Sequence, residues 1–212
     1  MPPRFDSVIF DLDGTLWDAS ATMTTAFQVA KNSVDYVDDD ITLAQVRAVT
    51  GQPYEVVYDE LFPNLPAARL AEYRLLCARQ ELAAARQHGG ALYPGLADML
   101  AYLRAQGYRL FIVSNCQLGY VEAFLAHSQL GPYFEGHQCF GTKRLPKAAN
   151  IREVVAAHGL RAPVYVGDTA GDLAACQEAG VPFIFATYGF GRIDAAETPW
   201  RIAGLPDLQH LL

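Results

Sequence analysis

Asp11 and Asp13 stand two positions apart where the first apolar run ends: Ser7-Val8-Ile9-Phe10-Asp11-Leu12-Asp13-Gly14-Thr15. Carboxylates so placed repel each other, and become tolerable when a divalent cation neutralises them or one keeps its proton. Either arrangement suits chemistry on an anion. Other apolar runs close on polar groups in the same way. Phe111-Ile112-Val113 ends at Ser114-Asn115, and Val164-Tyr165-Val166-Gly167 ends at Asp168, with Asp172 four residues further on. Lys147 stands one turn ahead of a helical stretch beginning near Ile151.

The elements that must position these groups are legible from periodicity. Val8–Phe10, Leu110–Val113, Val164–Val166, Phe183–Phe185 and, more weakly, Gln138–Phe140 read as buried strands. Helical patterns over Leu96–Ala105, Ile151–His158 and Leu173–Ala179 precede later strands, and Gly107, Gly159 and Gly180 supply their left-handed stops. Repeated strand–helix–strand predicts a doubly wound parallel α/β sheet, whose ligands bind beyond the carboxyl ends of its strands. The stretch from Asp18 to Gly90 shows helical patterns only, over Ala19–Asp35, Leu43–Val49, Tyr54–Leu61 and Ala67–Gln87. It predicts a small helical cap over residues 18–88, inserted after the first strand into a catalytic core of 1–17 and 89–212. Hinges are expected near Leu16–Ala19 and Gln87–Leu92. The run Asp38-Asp39-Asp40 reads as a solvated loop with Asp40 near a helix start, rather than a metal site.

Asp11-x-Asp13-Gly14-Thr15, Ser114-Asn115, Lys147 and Gly167-Asp168-x-x-x-Asp172 resemble, in order, the four motifs of the haloacid dehalogenase superfamily of phosphohydrolases. Tyr93-Pro94-Gly95-Leu96 is similar to the segment that precedes the second motif in members with a helical cap. Phosphoglycolate-phosphatase-like hydrolases are the nearest group. The resemblance covers roughly residues 5–17 and 91–190, while the cap matches in length and helical character alone. One departure concerns the third motif, where proline precedes the lysine (Pro146-Lys147) instead of following it. Lys147 is preferred there over Lys143, one turn further out.

The resemblance implies a Rossmann-like core and a Mg2+-dependent phosphomonoester hydrolase working through an aspartyl-phosphate. Asp11 would be the nucleophile and Asp13 the acid for the departing alkoxide, then the base for water. Mg2+ would bridge Asp11, the backbone carbonyl of Asp13, Asp168 and a phosphate oxygen. Ser114, the Asn115 backbone N–H and Lys147 would hold phosphate. Asp172 would support the metal's waters or orient Lys147. Plainer readings stand beside these: Ser114 as a helix cap, Asp172 as a first-turn helix carboxylate.

Asp13 favours phosphate esters over carbon–halogen or carbon–phosphorus cleavage, which need no acid for an alkoxide. A sugar phosphomutase would keep Asp13, but the cap loop Thr50-Gly51-Gln52-Pro53-Tyr54 offers no cation to hold a second phosphate. A catalytically silent phosphate-binding scaffold would have lost Asp11 or Asp13. A phospho-accepting receiver has no place for the helical insert. The substrate is expected to be a small phosphorylated metabolite. Residues 18–88 carry 10 acidic and 6 basic side chains, hence net −4, and Arg47 is the one cation near the cap loop. Arg47 reads as a solvated helix residue; Trp17, Asp18, Gln52 and Tyr54 could contact a neutral polyol or nucleoside.

Composition sets the remaining bounds. Of 212 residues 51% are hydrophobic and 18% charged, which is globular. A net charge of −7 without Lys/Arg clusters argues against nucleic acid. No run is long enough to span a membrane, and the N-terminus lacks the build of a secretion signal. A cytoplasmic monomer or homodimer is expected. Cys77, Cys116, Cys139 and Cys176 read as buried reduced thiols, the five histidines as surface residues, and Tyr188-Gly189-Phe190-Gly191-Arg192 as a loop after the last strand, not a dinucleotide turn.

Overall fold

Valine, isoleucine and phenylalanine crowd the central segments of the chain, and these become strands with both faces buried. In the computed structural model, which describes residues 5–38 and 40–212, six strands form one parallel sheet. They are β1 (Ser7–Phe10), β4 (Arg109–Ser114), β5 (Gly136–Cys139), β6 (Pro163–Gly167), β7 (Phe183–Ala186) and β8 (Arg201–Ile202), in the order β5-β4-β1-β6-β7-β8. The remaining pair, β2 (Trp17–Asp18) and β3 (Ala91–Leu92), is antiparallel. Alternation along each strand divides the core. Val8, Phe10, Leu110, Ile112, Val164 and Val166 face one side, and Ile9, Phe111, Val113 and Tyr165 the other.

The helices of the core are α5 (Leu96–Ala105), α6 (Tyr120–Ser128), α7 (Phe140–Lys143), α8 (Lys147–His158), α9 (Ala170–Ala179) and α10 (Leu208–Leu211). Ile151 and Val154 of α8 and Leu173 and Cys176 of α9 cover the Ile9 face, while α5 and α6 cover the other. Gly159 and Gly180, at φ 60° and 71°, end α8 and α9 in the left-handed region that favours glycine. The chain winds outward from β1 through β4 to β5, then returns past β1 to β6. That reversal opens a crevice beyond the ends of β1 and β6.

Four helices fill the insert: α1 (Ser20–Lys31), α2 (Leu43–Val49), α3 (Tyr54–Leu61) and α4 (Ala67–His88). Thr42 and Gln45 form a reciprocal capping box that starts α2. Edge-on packing of Phe27 with Tyr58 and of Phe62 with Tyr73 joins α3 to α1 and to α4. Their apolar faces continue into the core on the Phe10 side of the sheet.

Several expectations are corrected. β5 ends at Cys139, and Phe140 opens the single turn α7 instead of ending a strand. β8 supplies a sixth strand in a region without an apolar run; two residues suffice because Phe185 pairs with Arg201. The glycine-rich loop at 188–192 therefore lies between β7 and β8, not after the last strand. α1 stops at Lys31, short of Asp35, and α8 begins at Lys147, a turn before Ile151, with Pro146 preset in extended backbone at its N-cap. The expected hinges coincide with β2 and β3, whose pairing ties the two crossings together. Asp39 and residues 1–4 lie outside the described residues; Asp40 pairs with Lys31. No helix among the described residues is long and apolar enough to cross a membrane.

Candidate active site

Parallel strands of similar length end at one edge, and there Asp11, Ser114 and Asp168 come together although the sequence scatters them. Asp11 and Asp168 follow β1 and β6, neighbours across the crevice. Carboxylate oxygens of Asp11, Asp168 and Asp172 lie within 4.8 Å of one another, and all three residues are buried. Lys147 is buried among them, its Nζ donating to Asp11 at 2.9 Å and to Asp172 at 2.5 Å. Lys143, the competing lysine, is exposed and pairs with Glu153 at 2.8 Å.

One ammonium cannot balance three carboxylates out of water. Burial, then Asp172, push the Asp11 carboxyl up to about 6 against the pull of Lys147. Burial, then Asp172 and Asp11, push Asp168 up to about 8. For Lys147 burial works against the charge, but Asp11 and Asp172 outweigh it and hold the ammonium above the ordinary lysine range. Such an excess of hard oxygen donors suits a divalent cation such as Mg2+.

Asp172 has a second set of partners. It occupies the third position of α9, and its Oδ2 accepts from the Thr169 backbone and hydroxyl at 3.0 and 2.7 Å. The first-turn role and the contact with Lys147 are thus one arrangement: the capping box fixes the carboxylate that meets the ammonium.

Asp13 points elsewhere. Its Oδ1 accepts from the Trp17 indole at 2.9 Å and the Tyr120 phenol at 3.1 Å. Burial, then the Asp11 charge, raise it to about 7 against these two donors. Trp17 is fully buried, which corrects the expectation that it contacts substrate; it positions Asp13. Tyr120 carried no signal in the sequence, because its partner is 107 positions away.

Asp168 is held by Thr15, whose hydroxyl donates to Oδ1 at 3.2 Å, and by the Phe190 backbone N–H, which donates to Oδ2 at 2.7 Å. Glycines make this approach possible. A Cβ on Gly14 would stand 2.2 Å from Asp168 Oδ2, one on Gly189 2.3 Å from Asp168 Cβ, and one on Gly191 2.2 Å from the Asp168 carbonyl. The glycine-rich loop is therefore a backbone wall against this carboxylate.

Ser114 ends β4 with its hydroxyl buried beside Cys116 N–H, and lines a cavity together with Asp11, Asp13 and Asn115. The Asn115 amide donates to the Gly51 carbonyl of the cap at 3.0 Å, so the cap loop and the strand-end loop meet over the site. Arg47 donates to Asp18 at 2.7 Å and to Ser20 at 3.0 Å. The cysteines are all free; Cys77, Cys139 and Cys176 are buried, and Cys116 is half-buried at the cavity. His88, His127 and His210 are exposed, whereas His137 and His158 are half-buried away from this edge.

A buried carboxylate cluster with one lysine, at the reversal point of a parallel sheet under a helical cap, defines a hydrolase of α/β architecture. The family model of haloacid dehalogenase-like hydrolases matches residues 8–186, and the chain belongs to that family. A phosphoglycolate phosphatase of Aliivibrio fischeri is 32% identical over 86% of this chain and 84% of its own length. One from Synechococcus elongatus is 31% identical over 95% of this chain and 94% of its own. The crystal structure of a predicted phosphoglycolate phosphatase from Haemophilus somnus shares the fold with a TM-score of 0.86 at 21% identity, covering 100% of this chain and 99% of that one. The chain is an enzyme, with phosphatases as its curated relatives.

Proposed function

We propose that this enzyme is a Mg2+-dependent phosphomonoesterase acting on small phosphorylated metabolites through an aspartyl-phosphate on Asp11. The observation that carries the reading is the pairing of Asp11 with Lys147 inside the buried Asp11–Asp168–Asp172 group, at the edge of a cavity that Asp13 and Ser114 also line. The phosphoglycolate phosphatases among the relatives support it.

Lys147 keeps Asp11 ionised and draws the phosphoryl oxygens toward it. Asp11 attacks phosphorus, and Asp13, held near neutrality in its proton affinity, delivers a proton to the leaving alkoxide. Asp13 then takes a proton from the water that cleaves the acyl-phosphate. The Ser114 hydroxyl and the Asn115 backbone stabilise charge on the equatorial oxygens. Asp11, Asp168 and the Asp13 carbonyl would hold Mg2+ with Asp172 alongside, and the ion would supply positive charge to offset the phosphate and the carboxylates. The cap excludes water from the intermediate.

The test is hydrolysis of p-nitrophenyl phosphate with and without Mg2+, for the wild type and Asp11→Asn. Mg2+-dependent turnover that Asp11→Asn abolishes, with a phosphoryl adduct on Asp11 in acid-quenched wild-type enzyme, is the expected result. Turnover in Asp11→Asn at the wild-type rate would remove Asp11 from the nucleophile's role.

A further inference from the structure

Past Asp11 and Asp13 the cleft continues into the cap. Met23 and Phe27 of α1, Val46 and Val49 of α2 and Val57 of α3 wall this inner cavity. Among the described residues no lysine, arginine or histidine lines it, and beyond the two aspartates Glu81 of α4 is the one carboxylic acid that does. Glu81 is buried; one oxygen accepts from the Tyr58 hydroxyl at 3.0 Å and the other from Gln117 Nε2 at 3.1 Å. In the ionised form each carboxylate oxygen has two acceptor sites, so each keeps one for a ligand's donor. The Tyr58 hydroxyl lies 3.3 Å from that of Tyr54, which also lines the cavity.

The nearest cations are each paired with a carboxylate: Lys147 with Asp11 and Asp172, Arg47 with Asp18, and Arg74, over the Tyr58 ring, with Asp59. Arg47, bound to Asp18 and to Ser20 at the cavity's rim, lines an adjoining opening with Arg144, Arg192 and Lys147. Positive charge at that mouth suits the phosphate dianion on its way to Lys147. The alcohol half of an ester is left with the inner cavity. An anion there would be desolvated among valines, facing Glu81 without a counter-charge.

We infer that the inner cavity takes an uncharged alcohol with an apolar body and a hydrogen-bond donor directed at Glu81, and discriminates against the carboxylate of 2-phosphoglycolate. This rests on the phosphomonoesterase reading above and narrows it. Several curated relatives are named phosphoglycolate phosphatase, so this inference gives the chain a substrate unlike the one in their names.

The experiment compares kcat and KM for the monophosphate of 1,4-butanediol, butyl phosphate and 2-phosphoglycolate, with p-nitrophenyl phosphate alongside, in the wild type and Glu81→Gln. The expected wild-type result is a kcat/KM at least tenfold higher for the butanediol ester than for 2-phosphoglycolate, expressed mainly in KM, with butyl phosphate between them. Glu81→Gln, checked for folding by its melting curve, lowers the KM for 2-phosphoglycolate severalfold and narrows the gap. Equal or better turnover of 2-phosphoglycolate by the wild type overturns the inference, as does an unchanged ratio in a folded Glu81→Gln. A 2-phosphoglycolate preference that Arg144→Ala abolishes also overturns it, by placing the anion at the outer opening. Failure to hydrolyse any ester, p-nitrophenyl phosphate included, sinks the phosphatase reading itself; hydrolysis of p-nitrophenyl phosphate with a preference for 2-phosphoglycolate sinks the cavity assignment alone.

Discussion

The phenol of Tyr120 and the carboxylate of Asp13 meet at 3.1 Å across 107 positions of sequence, on the oxygen that the Trp17 indole also reaches at 2.9 Å. Both groups donate, so both favour the ionised carboxylate. Burial and the neighbouring Asp11 charge push the other way and prevail, leaving the group balanced at about 7. An acid so poised can give a proton and recover one near neutral pH.

Removing one donor tips that balance in a known direction. Tyr120→Phe weakens the ionised form of Asp13, so its proton is held to higher pH. One hydrogen bond of ~1 kcal/mol corresponds to about 0.7 pH unit. The alkaline limb of the kcat/KM profile for an alkyl phosphate is expected to move up by that order. A limb that stays in place would detach Tyr120 from the acid.

In the proposed mechanism the same acid sets how the rate depends on the leaving group. Asp13→Asn is expected to slow hydrolysis of alkyl phosphates by about 10²- to 10⁴-fold, the span of general acid catalysis. p-Nitrophenyl phosphate, whose phenolate departs without a proton, should lose far less in its phosphorylation step. Equal losses on both esters, measured under single-turnover conditions, would count against Asp13 as the proton donor.

The parts of this site that sequence reveals are those for which strand ends do the placing. Val8–Phe10, Phe111–Val113 and Val164–Val166 are apolar on both faces, so they must be central and parallel, and Asp11, Ser114 and Asp168 then share an edge by geometry alone. Periodicity likewise gives α2, α3 and α5 their observed bounds. What escapes is whatever depends on a distant partner. Trp17 reads as a residue for substrate to touch until the fold buries it on Asp13. Gly189 and Gly191 read as loop residues until Asp168 is packed against them. β8 escapes because two residues of an edge strand leave no period to detect.

The glycine wall makes a prediction about the cation. An alanine at 189 would place Cβ 2.3 Å from Asp168 Cβ, and relief requires the loop to lift the Phe190 N–H from Oδ2. Losing a hydrogen bond that orients a ligand typically costs about 10- to 100-fold in metal affinity. Gly189→Ala is expected to raise the Mg2+ concentration for half-maximal activity by that order. Gly131→Ala, where a Cβ meets nothing within 4 Å, serves as the control and should leave it unchanged. Equal Mg2+ requirements in the two variants would show that the loop does not orient Asp168.

Glu81 ties stability to pH with an unusual sign. Burial raises its carboxyl to about 7, against the Tyr58 and Gln117 hydrogen bonds, from an ordinary 4.5. Between those values the folded protein binds a proton that the unfolded chain has released, so stability falls as pH rises from about 4.5 to about 7 and stays reduced above. This is the reverse of a salt-bridged carboxylate, whose contribution appears above its unfolded pKa. Glutamine keeps the shape and carries no charge to desolvate. Glu81→Gln should therefore gain on the wild type as pH rises from 5 to 8, by on the order of 2 kcal/mol, or roughly 4–8 °C in Tm for a chain of this size. Melting curves at the two pH values, with metal removed from both proteins, measure that double difference. A difference of zero would mean that Glu81 is solvated or paired in the folded state, and a negative one that its charge supports the cap.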